Sequence, residues 1–259
     1  MNAARPDIRC THSSTERDRE VRVPVPAGPT GARRLRLGTT ARDRVADVLR
    51  NAIVRGELAA GTRIDLDEAA AQLGTSRTPV REACLALEHE GLLTVAPRSG
   101  VTVVGLTRRD VEDNFAIMAV LSGTATAWAA ERRTGEELDR VRELAAEVRR
   151  LAGDGGPDLE SANFRFHRAV HRASGSVRVL ALLRQSGRIV PSGFFSLVPE
   201  QVECSLREHD EIVDALAVAD PDRARRTAEA HLLNAGRLLL ARVGAATPVE
   251  SGACPPSPG

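Results

Sequence analysis

Three histidines stand in the apolar stripes of three separate predicted helices. His167 lies in NFRFH, His209 shortly precedes the mostly apolar stretch IVDAL, and His231 lies in AEAHLLNAG. Imidazoles pointing inward from three helices could converge on one divalent metal ion. Asn163, four residues before His167, would share its helical face and add an oxygen. The alternative for each histidine is a hydrogen-bonded core residue, and spacing alone leaves both open.

Two other features bear on hydrolytic metal chemistry. His171 stands one turn beyond His167, but Arg168 occupies the place where HExxH proteases carry their general base, which disfavours a zinc protease. A metal-dependent hydrolase would need a carboxylate near the ion. Glu208 and Asp210 flank the second histidine, but helical neighbours are expected to point away from its face. We therefore predict no enzymatic activity and keep a hydrolase fused to a DNA-binding domain as a lesser alternative.

A second group of side chains that could bind a ligand lies at the start of the stretch SRTPVREACLALEHEGLL. Its apolar residues fall on one helical face, whereas Arg77, Thr78 and Arg81 point the other way. Arginine offers paired donors to guanine O6 and N7, and threonine can contact base edges or phosphate. The start of a helix also presents free backbone N–H groups to a phosphate. This face could bind DNA, although exposed arginines are more often simply solvated.

The overall charge does not itself indicate a nucleic-acid partner. The 259 residues carry a formal net charge of +1, and residues 41–106 hold eight Arg against nine Asp plus Glu. The positive charge is instead concentrated at Arg77, Arg81 and Arg98, with Arg44 and Arg50 available for phosphates.

The composition also limits the compartment and excludes a membrane protein. No apolar run approaches the roughly 20 residues that a bilayer span needs, and the N-terminus lacks the apolar core of a secretory signal. The four cysteines are scattered without a CxxC pair. We predict a cytoplasmic protein with reduced thiols and no membrane partner.

The N-terminal elements predict a winged helix-turn-helix. Thr40 can cap a helix that ends near Arg55, GELAAGTRI breaks it, and a short helix DEAAAQL ends at Gly74. The third helix starts near Ser76, and LLTVAP and GVTVVGL form a hairpin around RSG. Helix, short helix, turn, helix and two-stranded wing are the elements of this module, whose third helix enters the major groove.

The remainder is predicted to be helical, so the fold class is mainly α: an N-terminal winged helix-turn-helix and a C-terminal all-α bundle. We place the DNA-binding domain at residues 39–106 and a ligand-binding and dimerisation domain at 107–244, with disordered tails at 1–38 and 245–259. The helices of the second domain are predicted at Asp110–Arg133, Glu136–Leu151, Asp158–Ala173, Val177–Arg188, Glu200–Ala217 and Pro221–Val243.

The stretch from GELAAGTRI through SRTPVRE and EGLL to the wing closely resembles the DNA-binding domain of GntR-family transcriptional regulators. The resemblance implies a DNA-contacting helix start and a wing tip. By position, these are Ser76, Arg77, Thr78 and Arg81 on the helix, and Arg98, Ser99 and Gly100 on the wing. Asp67 is a departure, because some members place a basic DNA-contacting residue there and a carboxylate would repel phosphate.

The helical part resembles the effector domain of the FadR-type branch, known as the FCD type. Many members have an acidic residue four before a histidine in an FH motif, and two further histidines on the last two helices. The resemblance thus implies a metal site of Asn163, His167, His209 and His231, holding a divalent transition metal such as zinc or nickel. Asn163 stands where many members have Asp, so the site would bind a cation more weakly.

These features together predict a DNA-binding transcriptional regulator, with repression favoured, that binds a palindromic operator as a homodimer. The resemblance implies a small organic acid as effector, and a metal in an apolar bundle would attract a carboxylate. Many members carry an Arg and a Glu where this chain has Met118 and Ser122, so the effector could instead be apolar and metal-free.

Overall fold

The computed structural model describes residues 40–96, 100–153 and 157–243. The predicted tails at 1–38 and 245–259 lie outside these ranges, and so do Arg98 and Ser99 of the predicted wing tip.

The N-terminal part has the predicted element order, with helices α1 (Ala41–Val54), α2 (Leu66–Gln72) and α3 (Arg77–His89). A capping box starts α1, since Thr40 Oγ1 accepts from the Asp43 amide and the Asp43 carboxylate accepts from the Thr40 amide. Gly74 turns the chain between α2 and α3 with a φ of 60°, a left-handed conformation that glycine adopts without steric cost. This confirms the predicted helix-turn-helix.

The wing is a three-stranded antiparallel sheet of order β1-β3-β2. Strands β2 (Leu93–Ala96) and β3 (Gly100–Val103) form the predicted hairpin. Strand β1 (Arg63–Ile64), in the segment interpreted only as a helix break, adds to the other edge of β3. A two-residue strand carries no alternation signal, and its pairing partner lies far along the chain, which is why the sequence pattern did not reveal it.

The C-terminal part is a helical bundle, and this confirms the predicted mainly α fold. Its long helices match the prediction to within two residues at every end, and the helix from Val177 ends at Ser186 and continues as a 3-10 turn over Gly187–Ile189. A four-residue helix, α8, was not predicted because it is shorter than one period of the hydrophobic pattern. The helices are α4 (Arg108–Arg132), α5 (Gly135–Leu151), α6 (Pro157–Arg172), α7 (Val177–Ser186), α8 (Phe194–Leu197), α9 (Glu200–Ala217) and α10 (Pro221–Val243).

Helices α4 and α10 pack along much of their lengths because two glycines allow a close approach. A Cβ built on Gly236 of α10 would lie 2.7 Å from Cγ of Phe115, and one built on Gly123 of α4 would clash with the side chain of Glu229. The α4–α10 contact thereby fixes the position of α10, which carries His231. No helix of the described ranges is long and apolar enough to cross a membrane.

Candidate functional site

The predicted DNA-contacting residues of the third helix lie together at its exposed end. Ser76, Arg77, Thr78 and Arg81 are all exposed, while the opposite face of α3 is buried in the core of the N-terminal part. Ser76 is the N-cap residue, but its hydroxyl makes no capping bond to the helix. Two guanidinium groups and two hydroxyls therefore surround the positive end of the α3 dipole, where an anion is stabilised.

Asp67 of α2 lies against this face. Its Oδ2 accepts a hydrogen bond of 3.2 Å from Arg77 Nη1, and both side chains are well exposed. The departure noted in the sequence is therefore an ion pair at the start of the third helix. An exposed pair of this kind contributes less than about 1 kcal/mol to folding, so its main consequence is to place a negative charge beside an arginine that is predicted to contact DNA.

Of the other residues predicted to contact DNA, Gly100 and Arg44 are exposed, whereas Arg50 is buried. Gly100 begins β3, is exposed and has a φ of 83°. Arg44 is exposed on α1. Arg50 was predicted to be available for a phosphate, and this is wrong. It is 6% exposed, and its guanidinium pairs with Glu90 and Asp47. Its place on the inward face of α1 follows from Leu49 and Ile53, which bury the same side of the helix.

The three predicted histidines of the bundle do converge. His167 of α6 has its Nε2 3.2 Å from Nε2 of His209 on α9 and 3.2 Å from Nε2 of His231 on α10. One nitrogen from each residue lies within 4.8 Å of the other two. His209 and His231 are buried, and His167 is partly buried. Ring nitrogens from α6, α9 and α10 thus point at one location.

This arrangement fits a metal ion. Zinc–nitrogen bonds of about 2.0–2.1 Å in tetrahedral geometry place nitrogen ligands roughly 3.3 Å apart, close to the two contacts at His167. If the rings were only hydrogen-bonded, the single proton on His167 Nε2 could make a good hydrogen bond to only one of the other two rings. A cation would instead attract the lone pairs of all three. The oxygen Oδ1 of Asn163, one turn before His167, is buried without a hydrogen-bond partner. An unpartnered buried acceptor is costly, and a cation would relieve that cost.

Glu208 corrects one expectation. It was predicted to point away from the site, but it is 6% exposed, and its Oε2 lies 2.6 Å from Nδ1 of His231. The buried face of α9 is wide enough to include both Glu208 and His209. Its other oxygen accepts from Nδ2 of Asn234 at 2.7 Å. The spacing of Cys204, Glu208 and Ile212 at i, i+4 and i+8 was a signal that could have placed this carboxylate inside.

The role of Glu208 follows from its contacts. By accepting the Nδ1 proton of His231, it leaves Nε2 of that ring with a lone pair facing the other histidines. A carboxylate that holds a histidine in this tautomer is the usual outer partner of a metal-bound imidazole. Both oxygens of Glu208 are therefore engaged in positioning, which leaves neither in the role of a hydrolytic base.

The electrostatics of the cluster favour uncharged rings. Burial, together with the neighbouring imidazole of His231, holds the pKa of His167 and of His209 well below the ordinary value. Burial also lowers the pKa of His171 to about 4. Since a metal ligand must present a lone pair, neutral rings are the binding form.

On the α4 side of the cluster, the neighbouring polar groups are neutral. His171 Nε2 lies 2.9 Å from the hydroxyl of Ser122 on α4, and its ring lies 6.1 Å from that of His167. Ser122 and Met118, one turn apart on α4, are both buried. The two positions where many FadR-type proteins have charged residues thus carry a hydroxyl and a thioether.

A winged helix-turn-helix joined to a helical bundle with an internal histidine cluster defines a DNA-binding regulator with a ligand-binding domain. Comparison with known proteins agrees. The model of bacterial regulatory proteins of the gntR family matches residues 41–103, and the FCD domain model matches residues 113–234. The protein belongs to the GntR family of transcriptional regulators and has an FCD effector domain.

Individual relatives support the same assignment. The chain is 32% identical over 200 residues to the "Probable D-xylose utilization operon transcriptional repressor" of Paenarthrobacter nicotinovorans, covering 75% of this chain and 86% of that protein. It is 30% identical over 218 residues to an Escherichia coli (strain K12) regulatory protein named for the L-lactate dehydrogenase operon, covering 73% and 83%. The structure of E. coli McbR/YncC has the same fold, with a TM-score of 0.61, 24% identity, and coverage of 78% of this chain and 98% of that one. These relatives are regulators, and the protein is not an enzyme.

The Asp67–Arg77 pair yields a prediction about DNA affinity. Replacing Asp67 with Asn removes a negative charge from the face that is predicted to contact DNA, so we expect the affinity for random-sequence duplex DNA to rise several-fold at low salt. The thermal midpoint should hardly change because the pair is exposed. Fluorescence anisotropy at several salt concentrations would measure this, with Asp139→Asn, an exposed position on α5, as control. Weaker binding by the Asp67 variant would contradict the argument.

Proposed function

We propose that the protein is a ligand-responsive repressor that binds a palindromic operator as a homodimer in the cytoplasm. Its DNA-binding domain would span residues 39–106 and its effector domain residues 107–244. The observation that carries this proposal is the exposed arginine pair at the start of α3, on a helix whose opposite face is fixed in the core. The word repressor in the name of the P. nicotinovorans relative supports the sign of regulation.

The third helix would read the operator from the major groove. Arg77 and Arg81 lie four residues apart, so both guanidinium groups can reach base edges from one side of the helix. Ser76 and Thr78 would bond phosphate or base edges beside them. Arg98, Ser99 and Gly100 at the wing tip would contact the backbone or minor groove.

Replacing Arg77 or Arg81 with Ala should abolish specific operator binding while leaving the fold intact, since both side chains are exposed. Each lost bidentate contact is worth about 1–3 kcal/mol of discrimination against the wrong base. The operator would be selected from random-sequence duplexes, and affinity measured by gel shift. Arg140→Ala, an exposed position on α5, is the matched control. Wild-type affinity in both α3 variants would show that α3 is not the helix that contacts the operator bases.

An exposed apolar surface on the bundle supports the homodimer. Helices α4 and α7 pack side by side, and each leaves large apolar side chains exposed: Ile117 and Val120 on α4, Val177 and Leu182 on α7. A second copy is the partner we assign to this surface, because a palindrome needs two identical heads related by a two-fold axis. Burying such side chains is the main driving force for association.

We therefore expect Val120→Asp to produce a monomer, because it would bury a charge in the interface. Val218→Asp is the control, since Val218 is 67% exposed at the end of α9, a helix outside the proposed surface. Light scattering coupled to size-exclusion chromatography gives the mass directly. A Val120 variant that stays dimeric would move the interface elsewhere.

The effector domain would hold a divalent transition metal such as zinc or nickel on His167, His209 and His231, with Asn163 as an oxygen ligand. Such an ion acts as a Lewis acid that binds an anionic oxygen. The chain's own residues would position the rings and exclude bulk water. A small carboxylate is the effector class that this chemistry favours. D-xylose and L-lactate, the compounds in two relatives' operon names, are likewise small and rich in oxygen.

Zinc titration of metal-free protein should give about one equivalent per protomer, lost in His209→Ala. Glu208→Gln should weaken zinc binding by roughly 10–100-fold, since outer-shell partners of metal-bound histidines have effects of that size. Glu203→Gln, an exposed position on the same helix, is the control. Isothermal calorimetry measures stoichiometry and affinity.

Absence of binding for both zinc and nickel would favour the alternative, a metal-free site for an apolar effector. The observation that favours this alternative is that Met118 and Ser122, both buried on α4, carry no charge. In that case the histidines would be core residues and the DNA-binding assignment would stand.

A further inference from the structure

The last turn of the third helix is joined to the effector domain by one carboxylate. Glu90, the C-cap residue of α3, is only 12% exposed at its side chain. Its Oε2 accepts from Nε of Arg50 at 2.7 Å, and its Oε1 accepts from Nη2 of Arg50 at 2.9 Å. Its Oε1 also accepts from Nη1 of Arg188 at 2.7 Å. Arg50 belongs to α1, whereas Arg188 belongs to the 3-10 turn that follows α7.

The two arginines differ in what they do for Glu90. The side chain of Arg50 is 7% exposed, so the Arg50–Glu90 pair is part of the interior of the N-terminal part. The side chain of Arg188 is 49% exposed, so it approaches from outside. Burial alone would raise the pKa of Glu90, but hydrogen bonds from both arginines lower it. Glu90 thus stays ionised and able to hold Arg188, and removing Arg188 leaves its inner partner in place.

The same loop makes a second set of contacts with α1. The amide of Ser192 donates to Oδ1 of Asn51 at 3.1 Å, and the Ser192 carbonyl accepts from Arg55. The next residue, Gly193, has a φ of 81°, and its amide donates to Oε2 of Glu160 at 3.0 Å. The loop therefore contacts α1 on one side and α6 on the other. Glu160 lies two turns before His167 on α6.

We propose that the segment Arg188–Gly193, here called the tether, fixes the orientation of the DNA-binding domain on the effector domain, with the Arg188–Glu90 pair as its releasable contact. The tether holds α3 by its C-terminal end and leaves its N-terminal end for DNA. It also connects that end of α3 to α6, the helix with two of the proposed metal ligands. In a dimer, the tether would set the distance between the two reading helices.

The consequence is a preference for one spacing between operator half-sites, and this inference rests on the proposed function. At any other spacing, rigidly held domains must distort themselves or the DNA, and this distortion costs free energy. The test compares the dissociation constant for the selected operator with those for operators lengthened or shortened by two base pairs. We expect Arg188→Ala and Arg188→Glu to reduce the discrimination between spacings by about fivefold or more, within the range for coupled sites.

Two control variants sharpen the comparison. Arg188→Lys keeps the positive charge and should retain most of the discrimination, and Arg184→Ala, an exposed arginine one turn earlier, should retain all of it. An Arg188→Ala protein with wild-type discrimination overturns the proposal, and so does one that loses binding at every spacing. Lack of sequence-specific binding by the wild-type protein would instead contradict the proposed function.

A measurement without DNA distinguishes failure of the tether proposal from failure of the proposed DNA-binding function. Hydrogen exchange in the free full-length protein reports on the Ser192 and Gly193 amides, which the tether contacts protect. We expect Arg188→Ala to speed exchange there by about fivefold or more, with Arg184→Ala unchanged. Equal exchange rates in wild type and Arg188→Ala would overturn the proposal whatever the DNA result.

Discussion

The close contact between α4 and α10 is the constraint on which the arrangement of the effector domain depends. Gly236 lies against Phe115 and Gly123 lies against Glu229, so a side chain at Gly236 would collide with the Phe115 ring and one at Gly123 would displace the Glu229 side chain. His231 lies on α10 between these two points. The depth at which its ring enters the bundle is therefore set by backbone approach, before any ligand is considered.

The interior of the bundle combines apolar packing with a few buried polar groups around the histidine cluster. Phe166 packs its ring 4.2 Å from that of His209, which keeps water from one side of the cluster. Glu208 and Asn234 satisfy one another and orient His231. A dry surrounding and a fixed outer partner are the conditions under which neutral imidazoles become strong and selective ligands.

Local signals in the sequence predicted most of the fold. Capping at Thr40, the turn at Gly74 and the stripes of the long helices each depend on neighbours in the chain, and all are confirmed. Features that depend on distant partners were not predicted. The strand at Arg63–Ile64 exists through pairing with β3, and Arg50 is interior because Glu90 meets it from another helix. The histidine convergence was predicted from three local stripes together with the resemblance to FadR-type proteins, whereas Glu208 needed the three-dimensional contact.

The third helix is also a lever. It has 13 residues, so at ~1.5 Å per residue its anchored end at Glu90 and its first turn at Arg77 are roughly 20 Å apart. A rotation of about 10° at the anchored end would carry the first turn through about 3.4 Å, which is the rise of one base pair. A rotation of the whole DNA-binding domain about this point would thus move Arg77 and its neighbours by about one base-pair step along the DNA.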